Sequence, residues 1–253
     1  MKRILRLVCE VLFPPHCAVC DKLMAPDPQK ETPALCRTCA PLWSREIARS
    51  CSRCQQPFHE CRCVLPHMKR RGIVAHVKMA PYHDEEEASA TRRIILSIKD
   101  RADRRVFRFL AEELAPGVRA AVKSAEEREI REGHAPCRTV ISFLPRSKRT
   151  AARVGFDQAQ ELARALSWQL GYPCLSLLKR VRDGVPQKLL SREARVENLK
   201  GAFAPLSSAK GLRVLLVDDL VTTGAGMAEA ADTLDADEIV AVSIGFTEKK
   251  KEK

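Results

Sequence analysis

Residues 214–226 read VLLVDDLVTTGAG, and this segment leaves the chain few ways to fold. The unbroken apolar run Val214–Val217 can turn neither face to water, so it describes a strand covered on both sides, as in a parallel sheet between helices. Two adjacent acids end the run. A Thr-Thr-Gly turn then leads into AGMAEAADTLD (225–235), which reads as a helix, and EIVAVSIGF (238–246) reads as the next strand. Strand, turn, helix and strand in that order form a βαβ unit.

The same alternation extends towards the N-terminus. GIVAHVKMAPY (72–82) and TVISFLP (139–145) read as strands, and RVLLVDD (213–219) bounds the central one. Residues 88–114 read as a helical stretch broken near Asp100, with Ile94, Ile95, Ile98, Val106, Phe109, Leu110 and Leu114 at helical spacing. Pro116-Gly117 is expected to stop it, with a polar helix or loop running to about Pro136. DQAQELARALSWQLG (157–171) is a helix capped by Asp157 and closed by Gly171. The predicted class is α/β, a mostly parallel sheet with flanking helices and an N-terminal addition.

That addition is defined by cysteine. Of eleven cysteines, nine precede residue 64. Cys17-x-x-Cys20 and Cys36-x-x-Cys39 stand fifteen residues apart, the spacing of a zinc ribbon; Cys51-x-x-Cys54 and Cys61-x-Cys63 form a second, tighter set in which His59 or His67 could replace one sulfur. Cys9, Cys137 and Cys174 read as small buried hydrophobes. A Cys- and Pro-rich stretch of this length buries too little apolar surface to hold a fold without a staple, which points to two structural Zn²⁺ ions with closed coordination. The expected organisation is a zinc-ribbon module at 1–67, an α/β domain at 68–248 and a disordered tail at 249–253, with module and domain having separate cores. MKRILRLVCEVLF lacks the uninterrupted apolar run of a secretory signal and reads as a short amphipathic helix. No stretch has the eighteen or so apolar residues of a membrane span. With thiols read as metal ligands, the expected compartment is reducing cytoplasm.

At the end of a buried parallel strand, Asp218 and Asp219 are followed by Thr222, Thr223, Gly224, Ala225 and Gly226. Backbone amides of such a turn and of a helix N-terminus converge where a phosphate is stabilised. The carboxylates suit vicinal hydroxyls of a ribose or a shared Mg²⁺. An ordinary helix cap would use the same residue types, but two acids directly after a buried strand favour a ligand. Neither a Walker loop nor a GxGxxG fingerprint is present.

VLLVDDLVTTGAG resembles the phosphoribosyl pyrophosphate signature of type I phosphoribosyltransferases. From about Cys17 to Phe246 the chain resembles the ComF family, a zinc module fused to such a domain. The resemblance includes the cysteine pairs, Tyr82, the IKD segment around Lys99, LPRSKRTAARVGFDQAQELA (144–163), and QKLLSREARVENLKGAF (187–203) with Gln187, Arg195, Asn198 and Phe203. It implies that Leu144, Pro145, Arg146 and Ser147 cradle pyrophosphate, with Arg149 and Arg153 supplying charge nearby. It also implies that a mobile loop from Arg180 to about Gly201 brings Arg180, Gln187, Lys188 and Arg195 over the substrate, Arg180 and Arg195 acting in catalysis with Asp218 and Asp219. Two positions depart from the family pattern: VGFDQ replaces RGFNQ, with Val154 in the arginine position, and TTGAG replaces TTGAT at Gly226.

A net charge of +12 favours acidic partners. Two readings follow. One is a transferase taking phosphoribosyl pyrophosphate with Mg²⁺ and an acceptor that the sequence does not name. The other is a non-catalytic single-stranded-DNA-binding protein, because some ComF members serve DNA uptake and Lys69, Arg70, Arg71, Arg92, Arg93, Lys99, Arg101, Arg104, Arg105 and Arg108 could track a phosphate backbone. Aromatic content of only 5% offers few stacking platforms for that second role.

Overall fold

The computed structural model describes residues 10–27, 29–182 and 199–247. In chain order the elements are α1 (Ala40–Ile47), α2 (Pro66–Lys69), β1 (Ile73–Pro81), α3 (Ala90–Asp100), α4 (Arg104–Arg131), β2 (Arg138–Phe143), α5 (Lys148–Val154), α6 (Gln158–Leu170), β3 (Leu178–Arg180), β4 (Phe203–Pro205), β5 (Leu212–Val221), α7 (Ala225–Thr233) and β6 (Glu238–Phe246). Strands β1, β6, β5 and β2 lie side by side in that order, all parallel, and β3 pairs with β4 in a small antiparallel ribbon. This is the α/β class read from the strand–helix alternation.

The parallel strands alternate their side chains between two cores. Leu215, Val217, Val240 and Val242 face a cluster with α3, α4 and α6; Val214, Leu216, Ile239 and Ala241 face one with α2 and α7. The cysteine segment takes part in both. Cys17, Val19, Leu35, Cys39 and Trp43 belong to the first cluster, while Cys51, Phe58, Cys61 and Met68 belong to the second. The segment therefore straddles the edge strand β1 and covers the sheet on both sides, which replaces the expectation of separate cores. The edge itself is engaged, the His76 amide donating to the Arg62 carbonyl (3.3 Å).

Polar contacts reinforce this docking. The Glu46 carboxylate accepts from the Ala90 and Thr91 amides (2.6 and 2.8 Å), capping α3 from outside. Trp43 Nε1 donates to Glu113 on α4 (2.9 Å). Arg105 donates to the carbonyls of Pro33 (2.9 Å) and His16 (3.2 Å).

Two readings of the helices meet different outcomes. α6 begins at Asp157, whose carboxylate accepts from the Ala159 and Gln160 amides, and ends at Gly171 with φ of 79°. By contrast, α4 runs straight through Pro116-Gly117 to Arg131. The apolar stripe continues past the pair through Val118, Ala121, Val122 and Ala125, and this burial outweighs the hydrogen bond that proline removes. Gly117 is needed at a close approach, where a Cβ would lie 3.0 Å from both Arg62 Nη2 and Val77 Cγ1. Among the described residues, no helix is long and apolar enough to cross a membrane.

Because the cysteine segment shares both cores, it should unfold together with the sheet. Trp43 is 2% exposed and Trp168 94%, so Trp168→Phe leaves Trp43 as a buried reporter. In that variant, thermal transitions followed by Trp43 fluorescence and by far-UV circular dichroism should coincide. A Trp43 transition at clearly lower temperature would mean two independent units.

Candidate functional site

Strand β5 brings the two acids to the carboxyl edge of the sheet, where ligands of open α/β folds lie. The two have different surroundings yet stay in contact, the Asp219 amide donating to Asp218 Oδ1 (2.8 Å). Asp218 lines a cavity of about 70 Å³ with Leu199, Leu220, Val221 and residues 222–227, while Asp219 is 5% exposed and faces α3, its Oδ2 3.5 Å from Lys99 Nζ. Desolvation, followed by the charge of Asp219, pushes the Asp218 carboxyl well above the usual carboxylate range.

The turn is built as its composition implies. Gly224 adopts φ of 76° and immediately precedes α7, with Thr223 Oγ1 accepting from the Ala225 amide (3.3 Å). Asp218 and the turn residues Thr222, Thr223, Gly224, Ala225 and Gly226 come together around the cavity. Its volume accommodates a group larger than a single water.

The second loop is only partly joined to it. The Leu144 side chain reaches the turn, 3.3 Å from where a Gly226 Cβ would stand, but Pro145, Arg146 and Ser147 do not line the cavity. That loop is fixed by Asp157, whose Oδ2 accepts from the Arg146 amide (2.7 Å) while Oδ1 caps α6. This gives the Asp in VGFDQ a physical role, since a carboxylate offers two acceptor oxygens where an asparagine offers one. Arg146 Nη1 is buried with no hydrogen-bond partner among the described residues.

Arg180, on β3, does not line the cavity. Its guanidinium lies 5.7 Å from the centre of the Phe203 ring, and Nε donates to the Arg182 carbonyl (3.1 Å). Gln187, Lys188, Arg195 and Asn198 lie outside the described residues, as do Cys9 and residues 249–253. The side chain of Arg149 is likewise not described.

The cysteines converge into two groups, Cys17, Cys20, Cys36 and Cys39, and Cys51, Cys54, Cys61 and Cys63, with the sulfurs of each group within 4.8 Å of one another. Their first knuckles repeat one geometry. Cys17 and Cys51 donate to the carbonyls of Lys22 and Gln56, and Asp21 and Gln55 take left-handed φ of 56° and 61°. The Cys20–Cys36 separation of 3.8 Å matches the sulfur–sulfur edge of a tetrahedron with Zn–S bonds of about 2.3 Å. The donor sets fit zinc without help from histidine: His59 Nδ1 contacts the Ile47 carbonyl (2.9 Å), and His67 lies against Gly224.

Much of the basic run is engaged within the chain. Arg101 pairs with Asp21 (2.8 Å), Arg105 with Asp103 (2.6 Å), Arg108 with Glu31 (2.5 Å) and Arg71 with Asp232. Arg92 lies 3.8 Å from Asp84, and Lys99 faces Asp219. Several of these residues hold the cysteine segment against the sheet, Arg101 and Arg108 through ion pairs and Arg105 through backbone carbonyls.

Features that sequence reading missed include Lys99 opposite Asp219 and the 65–68 segment behind Gly224, while Leu199, in the cavity wall, falls within the loop expected to close over the substrate. They are far from β5 in sequence, and no local pattern marks the contact.

No family model matches the chain. Among curated proteins it is similar to the "DNA utilization protein YhgH" of Salmonella typhi, 39% identical over 95 residues, which is 37% of this chain and 42% of that relative. It is 40% identical over 86 residues to "Competence protein F" of Haemophilus influenzae, covering 32% of this chain and 38% of the relative. It is 34% identical over 105 residues to the "DNA utilization protein YhgH" of Escherichia coli K12, covering 41% and 46%. The chain thus matches less than half the length of each of these relatives.

Proposed function

We propose that the chain is a ComF-type phosphoribosyltransferase that binds phosphoribosyl pyrophosphate with Mg²⁺ at the carboxyl end of β5, and that its activity serves DNA utilisation. The observation that carries this reading is the cavity formed by Asp218 and the 222–227 turn at the start of α7. Amides of that turn would hold the 5-phosphate, and Thr222 and Thr223 would add hydroxyl donors. Asp218, on the cavity wall, would hold the ribose hydroxyls or Mg²⁺. Bound Mg²⁺ would supply positive charge to the pyrophosphate as it leaves. The unpartnered Arg146 Nη1 would serve the same developing charge from the second loop, and we assign Arg180 and Arg195 to loop closure over it. In the reaction, the bond from the anomeric carbon to pyrophosphate breaks, a bond to the acceptor forms, and the acceptor loses a proton. The competence and DNA-utilisation names of the relatives support a nucleic-acid setting for the reaction.

Calorimetry with phosphoribosyl pyrophosphate and Mg²⁺ tests the site. Asp218→Asn should weaken binding by about 1–3 kcal/mol through loss of a charged acceptor. Thr223→Ala should cost less, because the turn amides remain. Gly224→Val is not a clean probe of the ligand, since its side chain would collide with Met68 in the folded protein. No binding by the zinc-replete protein would reject the reading, and turnover with released pyrophosphate on addition of an acceptor would establish catalysis.

The raised Asp218 pKa gives a pH signature. The folded state holds this proton more tightly than the unfolded chain, so its stabilising contribution is full below the ordinary carboxylate pKa and fades as pH rises through Asp218's own value. Without ligand, denaturation midpoints should therefore fall across a window above about pH 4, and Asp218→Asn should flatten that decline. Mg²⁺-dependent binding should strengthen over the same window and release a proton.

For the cysteine groups, we propose two structural zinc ions per chain, which would tie the knuckles together and add binding free energy to folding. Metal analysis of protein prepared without chelator should give two zinc per chain, and chelation should lower the thermal midpoint. A ratio of one would remove one group from the proposal.

A further inference from the structure

The turn that lines the cavity is supported from behind by the segment leaving the second cysteine group. Where Gly224 lacks a side chain, the space is filled: a Cβ would lie 2.5 Å from Met68 Sδ, 3.0 Å from Leu65 Cδ1 and 3.1 Å from His67 Nε2. Met68 is completely buried, in the same cluster as Val221, Ala225 and Met227. Only Val64 separates Cys63 from Leu65, so the path from the last cysteine to the back of the turn is too short to absorb much movement.

The cysteine end of this path is anchored as well. Lys78, 1% exposed on the edge strand, donates its ammonium to Cys61 Sγ (3.1 Å) and to the Cys63 carbonyl (3.0 Å). A buried ammonium with these partners fixes the knuckle to β1 and would be stabilised by the thiolates of a zinc-bound group. Knuckle, segment 64–68 and turn thus form one packed chain of contacts, whereas the first cysteine group packs with the core on the opposite face.

We infer that Leu65, His67 and Met68 are positioning residues for the 222–226 turn, and that closure of the Cys51, Cys54, Cys61 and Cys63 group sets how well the turn holds a phosphate. The ligand half of this inference rests on the function proposed above; the mechanical half does not. Loss of the second group would release the 64–68 segment, unpack Met68 and let the turn amides fluctuate before the sheet itself opens.

The experiment follows amide hydrogen exchange in peptides covering 221–228, in full-length zinc-loaded protein, alongside calorimetry with phosphoribosyl pyrophosphate and Mg²⁺. Cys63→Ser and Met68→Ala should each speed exchange in those peptides by about tenfold or more, with peptides of β6 little changed. Met68→Leu, which refills the space, should restore slow exchange, and Cys20→Ser in the first group should leave the turn as it was. Phosphoribosyl pyrophosphate affinity should fall about tenfold in Met68→Ala and recover in Met68→Leu. If Cys63→Ser does not fold, Met68→Ala carries the test alone. Unchanged exchange at 221–228 in Met68→Ala overturns the inference. Faster exchange with no ligand binding even by the wild type upholds the coupling and rejects the proposed ligand.

Discussion

A parallel sheet buried on both faces needs a cover on each side, and the rest of this structure depends on how the second cover is supplied. Helices α3, α4 and α6 close one face, but α2 and α7 are short, at four and nine residues. The cysteine segment makes up the difference, one group joining each core around β1. It also blunts the exposed edge of a strand that would otherwise offer unpaired amides. A segment too small to fold alone and a sheet lacking full cover thus complete each other.

This interdependence explains what could be read in the sequence. Strand β6 occupies its expected bounds because its apolar run is continuous, and α6 begins and ends at residues whose local chemistry fixes a helix terminus, Asp157 and Gly171. The acid-rich turn was equally local, so its position after a buried strand was legible. What was not legible depends on residues distant in the chain. Pro116-Gly117 reads as punctuation until the stripe beyond it is seen to continue across the sheet. Segment 65–68 reads as linker until Gly224 is found against it. The basic run reads as a free surface until Asp21 and Glu31 are placed beside it.

Strand β5 carries charge at both ends, in different surroundings. At its start, Arg213 is fully buried yet paired with Glu129 (2.7 Å) and Glu238 (2.8 Å), and Thr139 accepts a further hydrogen bond (3.2 Å). Desolvation raises the Glu129 pKa, but the Arg213 guanidinium outweighs it and holds that carboxyl below its ordinary range. These ion pairs fix the start of the strand against α4 and β6.

At the other end the accounts do not close. Asp219 Oδ2 is buried without a hydrogen-bond partner among the described residues, 3.5 Å from Lys99, and burial followed by the charge of Asp219 pushes the Asp218 carboxyl well above its ordinary range. Neutral side chains would cost less stability here, since adjacent buried carboxyls disfavour each other's charged form. On the proposed reading, Asp218 would be relieved by something polar or cationic in the adjacent cavity, whose wall is a helix N-terminus and a glycine turn. The ligand proposed for this end of β5 would answer both features, with an anionic group for the turn and hydroxyls or a cation for the acids.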